Sequence, residues 1–509
     1  MFAITGSVTS SCFKSSLLVQ ARNKTKVHWA KLKRKTSPKY KAQNHFDDFY
    51  GSVFGEKWEP MKEAMLRRQK YVAVINNYGD PEETAEYLAN RGAHCLKNLM
   101  TVQQAFHKQY NPASDMPPKS NTDNKLQQYI SKVQSDDIAG IYPQKLELPD
   151  TLEHSDMSLN SVQHISTNQS KMQSENNQLN SSPIDESRII DPSLGLSATE
   201  ALFQYIPATK LKGMDDWLPE SVHYSYLSSN KDFPLVIDVE TELKFPEHLK
   251  VYTYEMDSEW TMFPEPKRCN TGVYNYYPLD CGSVISVLAL CLEGGDRVLD
   301  LCAAPGGKAL LALQTLLPDI VVCNDSSISR SNRMQKMFSD YLIDYKTSNK
   351  WQERVLITKF DGRAFMDDQG FDKVLVDVPC TTDRVSMRED ENNIFRPDRI
   401  KERLRLPEMQ SQLLLNALRL VRVGGAVVYS TCSLSPIQND GVVHMALKRA
   451  FEEHGIQACV RDFSASVAGL SSTLCLASGD SAPQYGQLVI PSVSANFGPS
   501  YISRLVRLK

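Results

Sequence analysis

Residues 296–311 read DRVLDLCAAPGGKALL. A short apolar run, Val298, Leu299 and Leu301, meets a small-residue turn, Ala303-Ala304-Pro305-Gly306-Gly307, and a helical pattern starts at Lys308. That order describes a buried parallel strand feeding a glycine turn at a helix N-terminus. Side chains this small let a ligand lie against the backbone, and the free N–H groups of the first helical turn face it. The stretch therefore predicts a nucleotide-like pocket at the carboxyl end of a sheet. It is neither the dinucleotide G-x-G-x-x-G nor the phosphate loop G-K-[ST], because Gly307-Lys308 is followed by Ala309. A glycine turn after a strand is also compatible with a merely structural role, so its surroundings decide.

Outward from this turn, strands and helices alternate. Strands are predicted over Val298–Cys302, Ile320–Asn324, Val355–Thr358, Lys373–Val378 and Ala426–Thr431. Helices are predicted over Lys308–Leu316, Ser329–Leu342, Pro407–Val421 and Ile437–His454, with an apolar helix through Val284–Leu290 before them. The segments 457–460, 487–490 and 502–506 supply the last strands. This pattern implies an α/β fold with a doubly wound, mostly parallel sheet.

Ligands in such sheets sit beyond the carboxyl ends of the strands. After the second strand stands Asp325, placed to accept from ribose hydroxyls, or alternatively to cap the next helix. After the third comes Asp361-Gly362, within reach of an adenine edge, though an Asp-Gly pair also makes an ordinary turn. After the fourth comes Asp377-Val378-Pro379-Cys380, and after the fifth Ser430-Thr431-Cys432-Ser433. One cysteine there is more often a small core residue. Two at adjacent strand ends, one beside an Asp and a Pro, point jointly to chemistry.

The chain resembles the Sun-domain family of RNA cytosine-5 methyltransferases. The resemblance rests on LDLCAAPGGKA, VLVDVPCTTDR and VVYSTCSLSPIQND and covers residues 270–509. Further likeness to the mitochondrial ribosomal-RNA branch lies in Glu389–Phe395, in Ala495–Pro499, and in Gln69-Lys70-Tyr71 with Asn76-Asn77-Tyr78. Departures are Ala309 for the family's usual Thr, Thr381-Thr382 for Ser-Gly, Asp440 for Glu, and a longer polar insert. They touch substrate preference more than activity.

The resemblance implies the class I S-adenosylmethionine-dependent methyltransferase (Rossmann-like) fold. Carbon 5 of cytosine is a poor nucleophile, so a thiolate must first add to carbon 6. By resemblance Cys432 is that nucleophile. Asp377 hydrogen-bonds ring nitrogen 3 and the amino group, and Cys380 assists proton removal or product release. Lys308, Arg330 and Asp325 surround S-adenosylmethionine, which Gly306, Gly307, Ala309, Asp361 and Gly362 line and Asp377 borders. The target base must leave any stack, so single-stranded or flipped RNA is expected. The implied function is methylation of small-subunit ribosomal RNA in support of ribosome assembly. The alternatives are an assembly scaffold with dispensable chemistry, and a DNA methyltransferase using Cys380, which leaves Cys432 without a role.

Composition frames the remainder. The 509 residues are 41% hydrophobic and 23% charged, enough for two or three domains. No apolar run approaches the roughly 18 residues of a membrane span. The 11 cysteines include no C-x-x-C pair, so they read as reduced intracellular thiols rather than a zinc ribbon. Residues 1–42 carry ten Lys or Arg and no acid, the composition of a mitochondrial presequence and basic tail. A solvated tail touching nucleic acid is the other reading. Losing 25 to 42 of these residues takes the formal charge from −3 to between about −6 and about −13.

Residues 43–110 are predicted to form a helical module, 111–194 a disordered polar insert, and 195–269 a linker or extension of the catalytic domain, 270–509. An acidic mature body without a recognisable RNA-binding module suits a broad nucleic-acid face poorly. The family resemblance then implies a targeting partner, a helical-repeat protein of the mitochondrial transcription-termination-factor class. The mitochondrial matrix is the implied compartment.

Overall fold

The computed structural model describes residues 37–102, 233–256, 258 and 262–509. The expected insert at 111–194 and the presequence before residue 37 lie outside the described residues. The N-terminal part forms α1 (Pro38–Phe54), α2 (Trp58–Leu66), β1 (Val72–Ile75), α3 (Pro81–Ala89) and β2 (His94–Cys95). Next come β3 (Val236–Val239), β4 (Val251–Thr253), β5 (Tyr276–Leu279) and α4 (Cys281–Leu288). Alternation follows: β6 (Arg297–Asp300), α5 (Gly307–Gln314), β7 (Ile320–Asn324), α6 (Ile328–Tyr341), α7 (Asn349–Arg354), β8 (Val355–Thr358) and β9 (Phe371–Asp377). The chain continues through α8 (Asp383–Arg388), α9 (Ile400–Leu404), α10 (Leu406–Leu420), β10 (Val421–Thr431) and α11 (Val442–His454). It closes with β11 (Ala458–Asp462), α12 (Ser464–Val467), β12 (Gln487–Val489) and β13 (Ser500–Arg507).

The large sheet has the order β3-β11-β13-β10-β9-β6-β7-β8, with β12 paired to β13. From β10 to β8 every pairing is parallel. Strand β13 runs antiparallel to both β10 and β11. The parallel strands are buried on both faces, which is why Val298-Leu299 and Val374-Leu375-Val376 read as continuous apolar runs. Register brings the chemistry level: Asp377 is the partner of Ser430, and Asp300 that of Leu375.

A second sheet, β2-β4-β1-β5, corrects the expectation of an all-helical N-terminal module. Val72-Ala73-Val74-Ile75 is buried throughout and hydrogen-bonds β4 on one side and β5 on the other. A four-residue apolar run is too short for periodicity to classify, and its partners lie about 180 and about 205 residues away, so tertiary pairing decides it. The stretch read as a linker contributes β3 to the edge of the large sheet and β4 to the small one.

Helix α1 starts at Pro38, inside the segment read as basic tail. Phe46, Phe49, Tyr50, Val53 and Phe54 recur at helical spacing and form one buried stripe. That stripe shares a core with Met387, Phe395 and Leu434 of the catalytic region. The N-terminal helices are therefore part of the walls of the catalytic domain.

Candidate active site

The expected loops converge at the carboxyl ends of β6, β7, β9 and β10. Gly306 caps α5 with φ of 106°, a conformation that disfavours any side chain. A Cβ on Gly307 would lie 2.9 Å from the Tyr277 hydroxyl, so the turn needs glycine to pass under β5. Ala309 is buried behind it. Two cavities open beside this turn. Neither is lined by Gly306, Gly307 or Ala309, which shape the turn from behind.

The larger cavity, about 250 Å³, is lined by Cys432, Asp377, Lys308, Thr382, Arg384 and Gln69 among others. Cys380 and Cys432 are both free thiols, with their sulfurs 3.1 Å apart. Cys380 is buried, its sulfur 3.4 Å from the Thr382 backbone N–H, whereas Cys432 meets the cavity. Asp377 accepts from the Ser430 hydroxyl at 2.8 Å and from Lys308 Nζ at 2.7 Å. Lys308, which the family resemblance places around the cofactor, lines the cysteine cavity through this pairing with Asp377.

The charges here are interdependent. Burial opposes a charge on Lys308, but the charge and hydrogen bond of the Asp377 carboxylate beside it hold its ammonium above the usual lysine range. Cys432 accepts the opposite bias. Its hydrogen bond to Cys380, enclosure by the cavity wall, and the fields of Asp377 and Asp383 push its thiol well above the ordinary value. At neutral pH in the free protein Cys432 is therefore held as a thiol.

The smaller cavity, about 140 Å³, is lined by Asp325, Arg330, Asp361 and Gly362, together with Cys302 and Pro379. Asp325 caps no helix directly. Ser327 is the cap of α6, and Asp325 accepts from the Ser327 backbone N–H at 2.9 Å. Arg330 spans from Asp325, 3.3 Å away, to the Ala304 carbonyl at 2.8 Å. Asp361 pairs with Arg363, which lowers its carboxyl below the usual range. Asp300 is the group sequence reasoning leaves without a role. It is buried, and its Oδ1 has no hydrogen-bond partner among the described residues. Burial, then the Asp377 charge, raise its carboxyl to about 8.

Two acids, Asp325 and Asp361, on the wall of this cavity fit a ligand that carries a cation and a diol. S-adenosylmethionine has an ammonium, a sulfonium and ribose hydroxyls, so the residues present suit it. Asp325 and Asp361 are the groups that would hold it.

Three lining residues, Asp280, Gln69 and Arg384, are given no site role in the sequence reading. Asp280 caps α4 through the Gly282 N–H at 2.8 Å and takes Gln69 Nε2 at 2.7 Å. Among the described residues no carboxylate bonds the buried Arg384. It donates to the Gly498 carbonyl (2.8 Å), the Ala64 carbonyl (3.1 Å) and Asn496 Oδ1 (2.8 Å). Burial lowers its guanidinium to about 10. Arg384 thus joins the end of α2 to the loop before β13, and its place four residues after Cys380 was the one available hint. Arg384→Ala would orphan these acceptors and is expected to cost about 3 kcal/mol or more, read as a lower denaturant midpoint at unchanged slope.

A sheet of this topology with paired cysteines at adjacent strand ends defines a class I methyltransferase of the cytosine-5 type. Residues 287–479 match the family model of the 16S rRNA methyltransferase RsmB/F. The 5-cytosine rRNA methyltransferase nsun-4 of Caenorhabditis elegans is 31% identical over 98% of this chain and 100% of its own. NSUN4 of Xenopus tropicalis is 32% identical over 97% of both chains, and that of Mus musculus 43% identical over 51% of this chain and 67% of its own. A solved structure, NSun6 from Pyrococcus horikoshii with SFG, aligns over 48% of this chain and 57% of its own at 22% identity, with a TM-score of 0.37. The chain belongs to the RsmB/F (Sun-domain) family of S-adenosylmethionine-dependent RNA cytosine-5 methyltransferases. The relatives that match it along nearly its whole length are 5-cytosine rRNA methyltransferases.

Proposed function

We propose that this protein methylates carbon 5 of a cytosine in mitochondrial small-subunit ribosomal RNA through a covalent adduct on Cys432, in the matrix, in support of ribosome assembly. The observation that carries the reading is the cysteine pair, 3.1 Å apart, over a cavity bearing the Asp377–Lys308 pair. Names of the full-length relatives support the ribosomal substrate, and a relative over half the chain is a mitochondrial tRNA methyltransferase. Among the described residues no helix is long and apolar enough to cross a membrane.

Bound S-adenosylmethionine supplies an electrophilic methyl group. Cys432, at the cavity wall, gives up its thiol proton to solvent and bonds through its sulfur to carbon 6 of the extruded base. Asp377 accepts from the amino group, while the Lys308 ammonium beside it stabilises charge that develops on the ring nitrogen and carbonyl edge. Once carbon 5 carries its new methyl group, the Cys380 sulfur acts as thiolate and takes the proton from that carbon; the released electron pair restores the carbon 5–carbon 6 double bond, and the carbon 6–sulfur bond breaks to return Cys432 as its thiolate.

Asp300 lies within the field of Asp325 on the cavity wall, and through that field its protonation is expected to make cofactor binding pH-dependent. A carboxyl near 8 is mostly neutral at pH 6, and a cationic ligand favours its ionised form. Affinity for S-adenosylmethionine is therefore expected to rise by more than about tenfold from pH 6 to 7.5, with proton uptake by buffer on binding. Titration calorimetry in buffers of different ionisation enthalpy checks this, and Asp300→Asn should flatten the dependence.

The targeting partner we infer is a helical-repeat protein of the mitochondrial transcription-termination-factor class, because no RNA-binding module is recognisable in the sequence. The test is methylation of mitochondrial small-subunit RNA by the purified chain, with and without that partner, followed by 5-methylcytosine mapping. Tight, selective RNA binding by the chain alone at physiological salt would overturn the partner requirement.

A further inference from the structure

Asp383 is 0% exposed, and no lysine or arginine bonds to it among the described residues. Its carboxylate is held by neutral donors from three parts of the chain. Oδ2 accepts from the Tyr50 hydroxyl at 2.6 Å and from the Leu434 backbone N–H at 2.7 Å. Oδ1 accepts from the Thr381 hydroxyl, and the Ser433 hydroxyl lies 3.2 Å from both oxygens. The Asp383 backbone N–H also donates to the Cys432 carbonyl at 3.3 Å. Thr381 follows Cys380 directly, and Ser433-Leu434 follow Cys432. One buried carboxylate therefore bonds the residue after each cysteine.

A carboxylate without a bonded cation is costly to bury. A neutral packing residue of the same size would fill the space without that cost. Its retention makes sense where a strong, four-way acceptor is needed, because carboxylate hydrogen bonds are shorter and stiffer than neutral ones. Gln438 reinforces the same junction, accepting from the Thr381 N–H at 3.1 Å and donating to the Thr381 hydroxyl at 3.1 Å. Tyr50 is 1% exposed and belongs to α1, more than 300 residues before the cysteines.

We propose that Asp383, braced by Tyr50 of α1, is a positioning residue that clamps the Cys380 and Cys432 loops at reacting distance. The proposal rests on the reading of Cys432 as nucleophile and Cys380 as its assistant. Neither Asp383 nor Tyr50 needs to touch the RNA or the methyl donor. The N-terminal helix thereby becomes part of the catalytic apparatus through a single hydroxyl.

The test uses the cysteine pair as a ruler, on the full chain and without RNA. Diamide oxidises two thiols to a disulfide, taking two electrons and two protons to become a hydrazine, and mass spectrometry reports the Cys380–Cys432 coupling rate. Asp383→Asn keeps the shape but sets its amide N–H groups against donors, of which the Leu434 N–H cannot reverse. Coupling is expected to slow, and kcat for methylation to fall by about 10- to 100-fold, at unchanged affinity for S-adenosylmethionine and unchanged KM for RNA. Loss of the charge alone would favour the thiolate and speed coupling, so a slowdown reads geometry.

Tyr50→Phe removes one donor and is expected to show the same pattern at smaller amplitude. Should the Asn variant not fold, Tyr50→Phe decides alone. Unchanged or faster coupling, unchanged kcat, or a parallel loss of cofactor affinity overturns the proposal. Retained methylation by Cys432→Ala would instead overturn the nucleophile reading, which the RNA-free coupling rate does not depend on.

Discussion

Cys432→Ala is expected to abolish both methylation and any covalent RNA complex, whereas Cys380→Ala accumulates that complex. The reasoning is geometric. Cys432 meets the larger cavity, and Cys380 lies buried behind it with its sulfur 3.1 Å away. Only the first can reach carbon 6 of a base in that cavity. The second can take a proton from a ring already bonded there. Loss of a nucleophile typically removes about four or more orders of magnitude from kcat, because no other group replaces the bond it forms. Wild type, Cys380→Ala and Cys432→Ala, each incubated with labelled S-adenosylmethionine and mitochondrial ribosomal RNA, are compared on denaturing gels. The reverse pattern would exchange the two roles. No methylation or adduct from wild type, even with a repeat-protein partner, would favour a scaffold on a methyltransferase fold.

The second large effect belongs to Asp377. Asp377→Asn keeps the Ser430 contact and the shape of the β9 end, but it removes the anion that holds Lys308 protonated. Both poles of the pair that faces the base weaken together. A fall of about 10²- to 10³-fold in single-turnover rate is expected, the size seen when one preorganised electrostatic contact is lost. Cofactor affinity should change far less, because Asp377 lines the cysteine cavity and not the smaller one. Single-turnover methylation beside equilibrium binding of S-adenosylmethionine separates the two. An equal loss in both would place Asp377 on the cofactor.

Much of this was legible in the residues. Strand ends carry local signals, so Asp325, Asp361, Asp377 and the cysteines could be located from apolar runs and the turns that follow. Helix α6 and strand β7 fall within a residue of expectation for the same reason. What could not be read is long-range. Lys308 sits in the helical turn after β6, and its ion pair with Asp377 at the end of the neighbouring β9 depends on a strand order that no local motif states. Asp300 lies inside a strand, where burial and a neighbouring acid, not a motif, decide its protonation. Val72–Ile75 became a strand only because β4 and β5 offered it edges. Tyr50 lies in an aromatic stripe indistinguishable from core packing until Asp383 is found beneath its hydroxyl.

Strand β13 bears on how far the catalytic unit is autonomous. It lies between β10 and β11, and through Tyr501 it reaches the buried Asp440 beside the cysteine loops. Excising the motif-bearing stretch, 287–479, would discard this strand and leave β10 with an open edge next to the nucleophile. Such an edge is a template for pairing with other chains. Shuffling this active site between proteins as a cassette is therefore obstructed by the weave of the sheet. Evolution of its specificity is left to the rims and insertions, where changes need not cross the central strands.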